Sequence, residues 1–314
     1  MNDTGRRLTF FCHSVTPFDE SGAIDEAELR RHLRRLVAAG NGIFLGSPGA
    51  GESSALTVAE LRRVYEIGVE EAKGKAPLYA STREARSAEA MYEVASAAAV
   101  AGVDVVQLHQ LDGGHGMVPT ETEQDNYFSS LLSSIHHPVA ISVHSALGYV
   151  APPSLLRSLS DRYDNLCGVS IVGPPSEYFM KVRDALPGSV ELLSGGSSFM
   201  HNFMLGASGT QSPHANLLPK TYRAIGDAYS AGDHARATAL LQQYTRVVSV
   251  LAASGSGAAR ALKLAMKSLG LGNGVLRPPY LPSGEDAVAR MRAALVALGI
   301  PELMNAQPGP VDER

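Results

Sequence analysis

The chain has no tryptophan, two cysteines and six lysines among its 314 residues. Each scarcity removes a class of protein. Cys12 and Cys167 are too few for the disulfide framework of a small secreted domain, and they read as small core residues. Neither sign of charge dominates. The 27 basic and 31 acidic side chains leave a formal net charge of −4, with no basic block to release counterions from nucleic acid. No run reaches the roughly 18 uninterrupted apolar residues of a membrane span. The opening MNDTGRRLTFF also lacks the apolar stretch of a secretory signal. These absences lead us to expect a cytoplasmic protein acting on a small molecule, with neither nucleic acid nor membrane as partner.

What is present is an alternation. Short apolar runs rich in β-formers take turns with longer segments of helical period, the pattern of βα units and a parallel sheet. Strands are expected at 8–15, 42–46, 77–82, 103–109, 138–144, 166–172, 190–195 and 209–214. Helices between them carry their own start signals. Asp25 precedes a stripe of Leu29, Leu33, Leu36 and Val37 that stops at Gly40, and Thr57 with Glu60 and Thr120 with Glu123 have capping-box spacing. After the eighth strand only helices follow, at 219–231, 233–254, 256–270 and 284–298. The reading is a (β/α)8 TIM barrel over 1–225 with a C-terminal helical extension over 226–314. A doubly wound open sheet is the alternative, but the loop after the first strand, TPFDESG, has no dinucleotide fingerprint.

In such a barrel the chemistry belongs at the C-terminal strand ends. Several segments there are similar to the dihydrodipicolinate synthase and N-acetylneuraminate lyase family of class I aldolases. They are VTPF (15–18), GSPGAGESSALTVAE (46–60), PLYASTREARSAEA (77–90), LLSGGSS (192–198) and LGASGTQSPHAN (205–216), in the family's order and spacing. The resemblance covers about residues 8 to 300. It implies a barrel lyase acting on a pyruvate-like substrate, and a homo-oligomer, either a dimer or a tetramer. It also implies an imine-forming lysine in a G-I-K-E pattern on the sixth strand, where this chain reads Gly168-Val169-Ser170-Ile171. Ser170 therefore occupies the lysine position. The family's fifth-strand tyrosine corresponds to Ser142, its loop arginine has no counterpart, and the threonines of G-T-T-G-E correspond to Gly49 and Ala50, with Gly51 and Glu52 kept. The loop HQLDGGHGM (109–117) replaces the family's aromatic pair.

The residues themselves give a matching account. An imine-forming amine must be desolvated in a pocket, and all six lysines fall on helices, helix ends or polar linkers. Polar side chains gather instead at the strand ends: His13, Gln107, His109, Ser142, His144, Ser170, Gln211 and His214. Period-2 alternation puts Gln107 with His109, and Ser142 with His144, on shared faces. We expect a lyase-type step, an aldol, retro-aldol, hydration or dehydration, on a small oxygenated and carboxylate-bearing substrate, without an imine. His109 and His144 would carry protons, with His13 and His214 as further imidazoles and Ser142 and Ser170 as hydroxyls. Gly49, Ala50, Gly51, Glu52, Ser81, Arg83, Gln107 and Gln211 would bind substrate, Arg83 being the cation available to an anion. Glu52 could equally brace its loop, and His115 could act from the glycine-rich insert. No cofactor or metal is expected, the His cluster with Glu52 or Asp112 leaving metal assistance as one alternative. A non-catalytic metabolite-binding homologue is the other.

Overall fold

Apolar inward positions drive eight short strands together. In the computed structural model, which describes residues 8–306, the strands are β1 (Thr9–His13), β2 (Gly42–Leu45), β3 (Leu78–Ser81), β4 (Val105–His109), β5 (Val139–His144), β6 (Leu166–Val172), β7 (Glu191–Gly195) and β8 (Gly209–Ser212). They pair in parallel in sequence order, and β8 returns to β1, so the sheet closes into the expected barrel. Each strand end lies within two residues of the sequence expectation.

The helices form where their signals stand. Asp25 caps α1 (Glu26–Ala38), whose Leu29, Leu33 and Leu36 are fully buried, each contributing about 1.5–3 kcal/mol of apolar transfer. Thr57 and Thr120 complete reciprocal capping boxes at α2 (Val58–Ala72) and α4 (Glu121–Ser134). The eighth barrel helix, α8 (Pro219–Ser230), buries Tyr222 edge-on against Phe10 of β1 at 4.8 Å. It runs through residue 225, so the division drawn there falls inside a helix that closes the barrel. The extension consists of α9 (His234–Ala253), α10 (Ala258–Ser268), α11 (Glu285–Val296) and a short α12 (Pro301–Met304) that the sequence reading had not marked.

The barrel interior is layered. Phe11, Phe44, Tyr79, Val105, Ala140 and Leu193 form a separate buried cluster, with the three aromatic rings 4.6 to 5.1 Å apart. Two residues further along most of these strands, the same face carries polar groups. His13 stacks on Phe44 at 4.9 Å, which marks where the apolar plug gives way. Asn216 ties the mouth shut between β8 and β1, donating to the His13 carbonyl at 2.7 Å and meeting His32 Nε2 at 2.7 Å.

The loop after β2 folds back sharply. A side chain at Gly51 would place its Cβ 2.6 Å from the Ser47 nitrogen, so only glycine passes there. The next residue, Glu52, adopts a left-handed conformation with φ 52. Its carboxylate is held by Lys263 of α10, whose Nζ sits 2.5 Å from Oε1, 2.8 Å from the Val275 carbonyl and 4.2 Å above the Phe18 ring. Lys263 lies on a helix as expected, and it alone of the six lysines is buried. Burial lowers the pKa of its ammonium, and Glu52 pulls against that shift. Replacing Lys263 by Met strands a buried carboxylate, and urea unfolding should show a loss of about 3–5 kcal/mol. The Glu52→Gln, Lys263→Met double variant should recover part of this, and a single-variant loss below about 1 kcal/mol would show that the pair does not hold the loop.

Candidate active site

A cavity of about 570 Å³ opens at the C-terminal ends of the strands. Strand pleating delivers most of its wall: His13 from β1, Ser81 from β3, Gln107 and His109 from β4, Ser142 and His144 from β5, and Gln211 from β8. The register sets them side by side, with Ser81 opposite Gln107 and His109 opposite Ser142. Gly49 and Ala50 of the β2 loop and His214 after β8 complete the predicted part of the lining.

Four predicted residues are placed differently. Ser170 lies opposite Ser142 in register, fully buried beneath the lining, and its hydroxyl has no hydrogen-bond partner among the described residues. Gly51 donates its N–H to Ser47 Oγ at 3.1 Å, and Glu52 is turned away to Lys263. Arg83 does not line the cavity. The turn at Ser53–Ala55 draws its guanidinium to the Leu56 carbonyl at 3.3 Å, which removes the expected cation from the site. His115 is solvent-exposed. No three His, Cys, Asp or Glu groups among the described residues gather closely enough to hold a metal ion.

Other lining residues escaped the sequence reading. Ser47, Ser54, Gly196 and Ala258 line the cavity, as does the Glu84 carboxylate, whose pKa is raised by burial and secondarily by Asp112. Glu84 directly follows the predicted Arg83, and the loop geometry alone decides which of the two faces inward. Ala258 belongs to α10, nearly fifty residues beyond β8, and no local signal could place it. Gln110 is a buried support that accepts the His144 N–H at 2.7 Å, and Tyr127 donates to the His109 carbonyl at 3.1 Å.

Burial keeps the imidazoles uncharged. Desolvation, aided by the neighbouring imidazoles, lowers His109 to about 3, and desolvation with His144 lowers His13 to about 4, Gln211 acting the other way. His144 and His214 are lowered by burial as well, and His144 is the more accessible partner of His109. Their hydrogen bonds set the tautomers. Ser81 Oγ lies 3.0 Å from His109 Nε2 and 3.4 Å from the Thr82 carbonyl, and when its hydroxyl donates to that carbonyl it accepts from His109 Nε2–H. In that tautomer His109 Nδ1 is a bare lone pair, and it has no hydrogen-bond partner among the described residues. His144 is the complement. Its Nδ1 accepts the Ala146 N–H at 3.1 Å, so its proton sits on Nε2.

The dihydrodipicolinate synthetase family matches residues 8–298. The chain belongs to that family. A relative named 4-hydroxy-tetrahydrodipicolinate synthase from Methanopyrus kandleri is 28% identical over 294 residues, covering 91% of this chain and 94% of its own. Another of that name, from Acidiphilium cryptum, is 28% identical over 296 residues, covering 91% and 96%. Among solved structures, YagE, a prophage protein of the dihydrodipicolinic acid synthase family from E. coli K12 in complex with pyruvate, superposes with a TM-score of 0.84 at 21% identity, covering 93% of this chain and 98% of its own. CdNal from Clostridium difficile in complex with mannosamine gives 0.82 at 18%, covering 93% and 99%. At these identities the structural likeness shows the barrel fold.

The neutral imidazoles make stability depend on pH. Below 6.5 the unfolded chain protonates His13, His32 and His109, whereas the folded protein holds them uncharged down to about 4, 3 and 3. Stability present above pH 6.5 is therefore lost as pH falls through this window, by about 1.4 kcal/mol per pH unit for each such histidine. Urea unfolding between pH 7.5 and 5 should show this slope, and His109→Asn should reduce it by about one proton's worth. An unchanged slope in that variant would mean that His109 titrates normally.

Proposed function

We propose that this family member is a lyase that makes or breaks a carbon–carbon or carbon–oxygen bond next to a carbonyl with histidines as its proton-handling groups, without a lysine imine, and that it works as a homo-oligomer. The observation that carries this reading is the complementary pair His109 and His144 in one cavity whose lining contains no lysine. Family membership supports the lyase class, as do relatives named for a synthase. Ser170 at the sixth-strand position and the commitment of Lys263 to Glu52 support the absence of an imine.

In the retro-aldol direction, His109 Nδ1 accepts the proton of the substrate's β-hydroxyl. The bond between the α- and β-carbons breaks, the β-carbon leaves as a carbonyl, and the electron pair moves onto the retained carbonyl oxygen as an enolate. The backbone N–H groups of Gly49 and Ala50 make no hydrogen bond within the described protein and are available to that oxygen. His109 then returns that proton to the α-carbon of the enolate, while the neutral His144 donates its Nε2–H as a hydrogen bond to the charged oxygen, so both imidazoles end as they began. His109 is a weak base because of its burial.

Substituting His109 or His144 by Ala should lower kcat by roughly a hundredfold or more in a turnover assay, with unfolding midpoints compared to exclude collapse of the site. Borohydride treatment in the presence of pyruvate should leave the protein's mass unchanged. A reduced adduct, on Lys263 above all, would establish an imine mechanism and end this proposal.

A further inference from the structure

The cavity walls offer hydrogen bonds but no cation. Glu84 is the only side chain bearing a full charge among the lining residues, because Arg83 is spent on the Leu56 carbonyl and Lys263 on Glu52. Several buried polar atoms in the wall and floor also have no hydrogen-bond partner among the described residues: Gln107 Oε1, Gln211 Oε1, Ser170 Oγ and the Nδ1 atoms of His13 and His109. The two carboxamide oxygens and the Glu84 carboxylate can only accept, so they call for N–H or O–H donors. Leaving such buried groups unsatisfied is costly, at about 1–3 kcal/mol each, so a ligand that completes them gains accordingly.

A carboxylate answers none of these needs. It could take the free Gly49 and Ala50 N–H groups, but it leaves those acceptors unpaired beside the Glu84 carboxylate and gives up water without meeting an opposite charge, a desolvation worth several kcal/mol. A hydroxyl group brings a donor and an acceptor together, and a vicinal set of them could satisfy Gln107, Gln211 and Glu84 at once. The free N–H groups of Gly49 and Ala50 suit one carbonyl oxygen, whose charge grows only as the bond rearranges.

We infer that the cavity takes an uncharged polyhydroxylated carbonyl compound, such as a sugar, a sugar lactone or a hydroxyketone, in preference to the anion of a keto acid or sugar acid. The inference rests on reading this cavity as the reaction site. It replaces the carboxylate-bearing substrate expected from the sequence, whose charge was assigned to the backbone amides of 49–51 or to Arg83.

The test is calorimetric titration of the full chain with neutral pentoses, hexoses, 2-ketoses and sugar lactones, each matched with its sodium aldonate, and with sodium pyruvate. At least one neutral compound should bind with a Kd about tenfold or more below that of its acid, changing less than about twofold between low and high salt. Gln211→Met, with its unfolding midpoint checked, should weaken that compound about tenfold. Tighter binding of pyruvate or of an aldonate, or saturable binding by no neutral member, overturns the inference. A neutral compound that binds and is never cleaved sinks the lyase reading alone. A sugar acid that is cleaved sinks this inference alone.

Discussion

The interior of this barrel is divided by the pleat of its own strands. Inward residues come every second position, so a strand that offers an aromatic ring at one level offers its next inward side chain about two residues nearer the mouth. Phe11 is followed by His13, Tyr79 by Ser81, Val105 by Gln107 and then His109, and Ala140 by Ser142 and then His144. The lower layer is apolar and close-packed, and the upper layer is polar and faces a cavity. Everything chemical about the molecule depends on that boundary. The aromatic plug denies water to the cavity from below, and the imidazoles above it stay uncharged because burial penalises the proton they would otherwise carry.

The second constraint comes from outside the barrel. The loop after β2 contributes Gly49 and Ala50 to the lining, and its shape depends on a glycine that tolerates the backbone of Ser47 and on a left-handed Glu52. The C-terminal extension holds that loop by burying Lys263 against the Glu52 carboxylate. A family resemblance read from sequence presents Glu52 as part of the binding site. In the fold it faces the other way, and its role is to fix the two backbone amides beside it.

Most of the architecture was legible along the chain, because the signals involved are local. The period-2 runs, the Thr57 and Thr120 capping boxes and the stop at Gly40 each act over a few residues, and each stands where it was expected. The strand-end chemistry was legible for the same reason. Pleating alone puts Gln107 beside His109 and Ser142 beside His144, and the closed register then brings those pairs together. The eighth helix was legible, expected at 219–231 and found at Pro219–Ser230, but that all of it belongs to the barrel was not: Tyr222 packs on Phe10 across more than two hundred residues of chain.

The sequence by itself determined the barrel and the polar character of its mouth. Hydrophobic period and residue identity suffice for these. Only the tertiary structure decided which charged groups enter the cavity. Arg83 and Glu84 are adjacent in sequence, and the loop turns one toward a carbonyl and the other toward the cavity. Lys263 lies on a helix, as Lys181, Lys220 and Lys267 do, but it is a buried cation because a carboxylate more than two hundred residues earlier meets it. A charge is stabilised or excluded by what surrounds it in three dimensions, and that surrounding is assembled from segments that no local pattern connects.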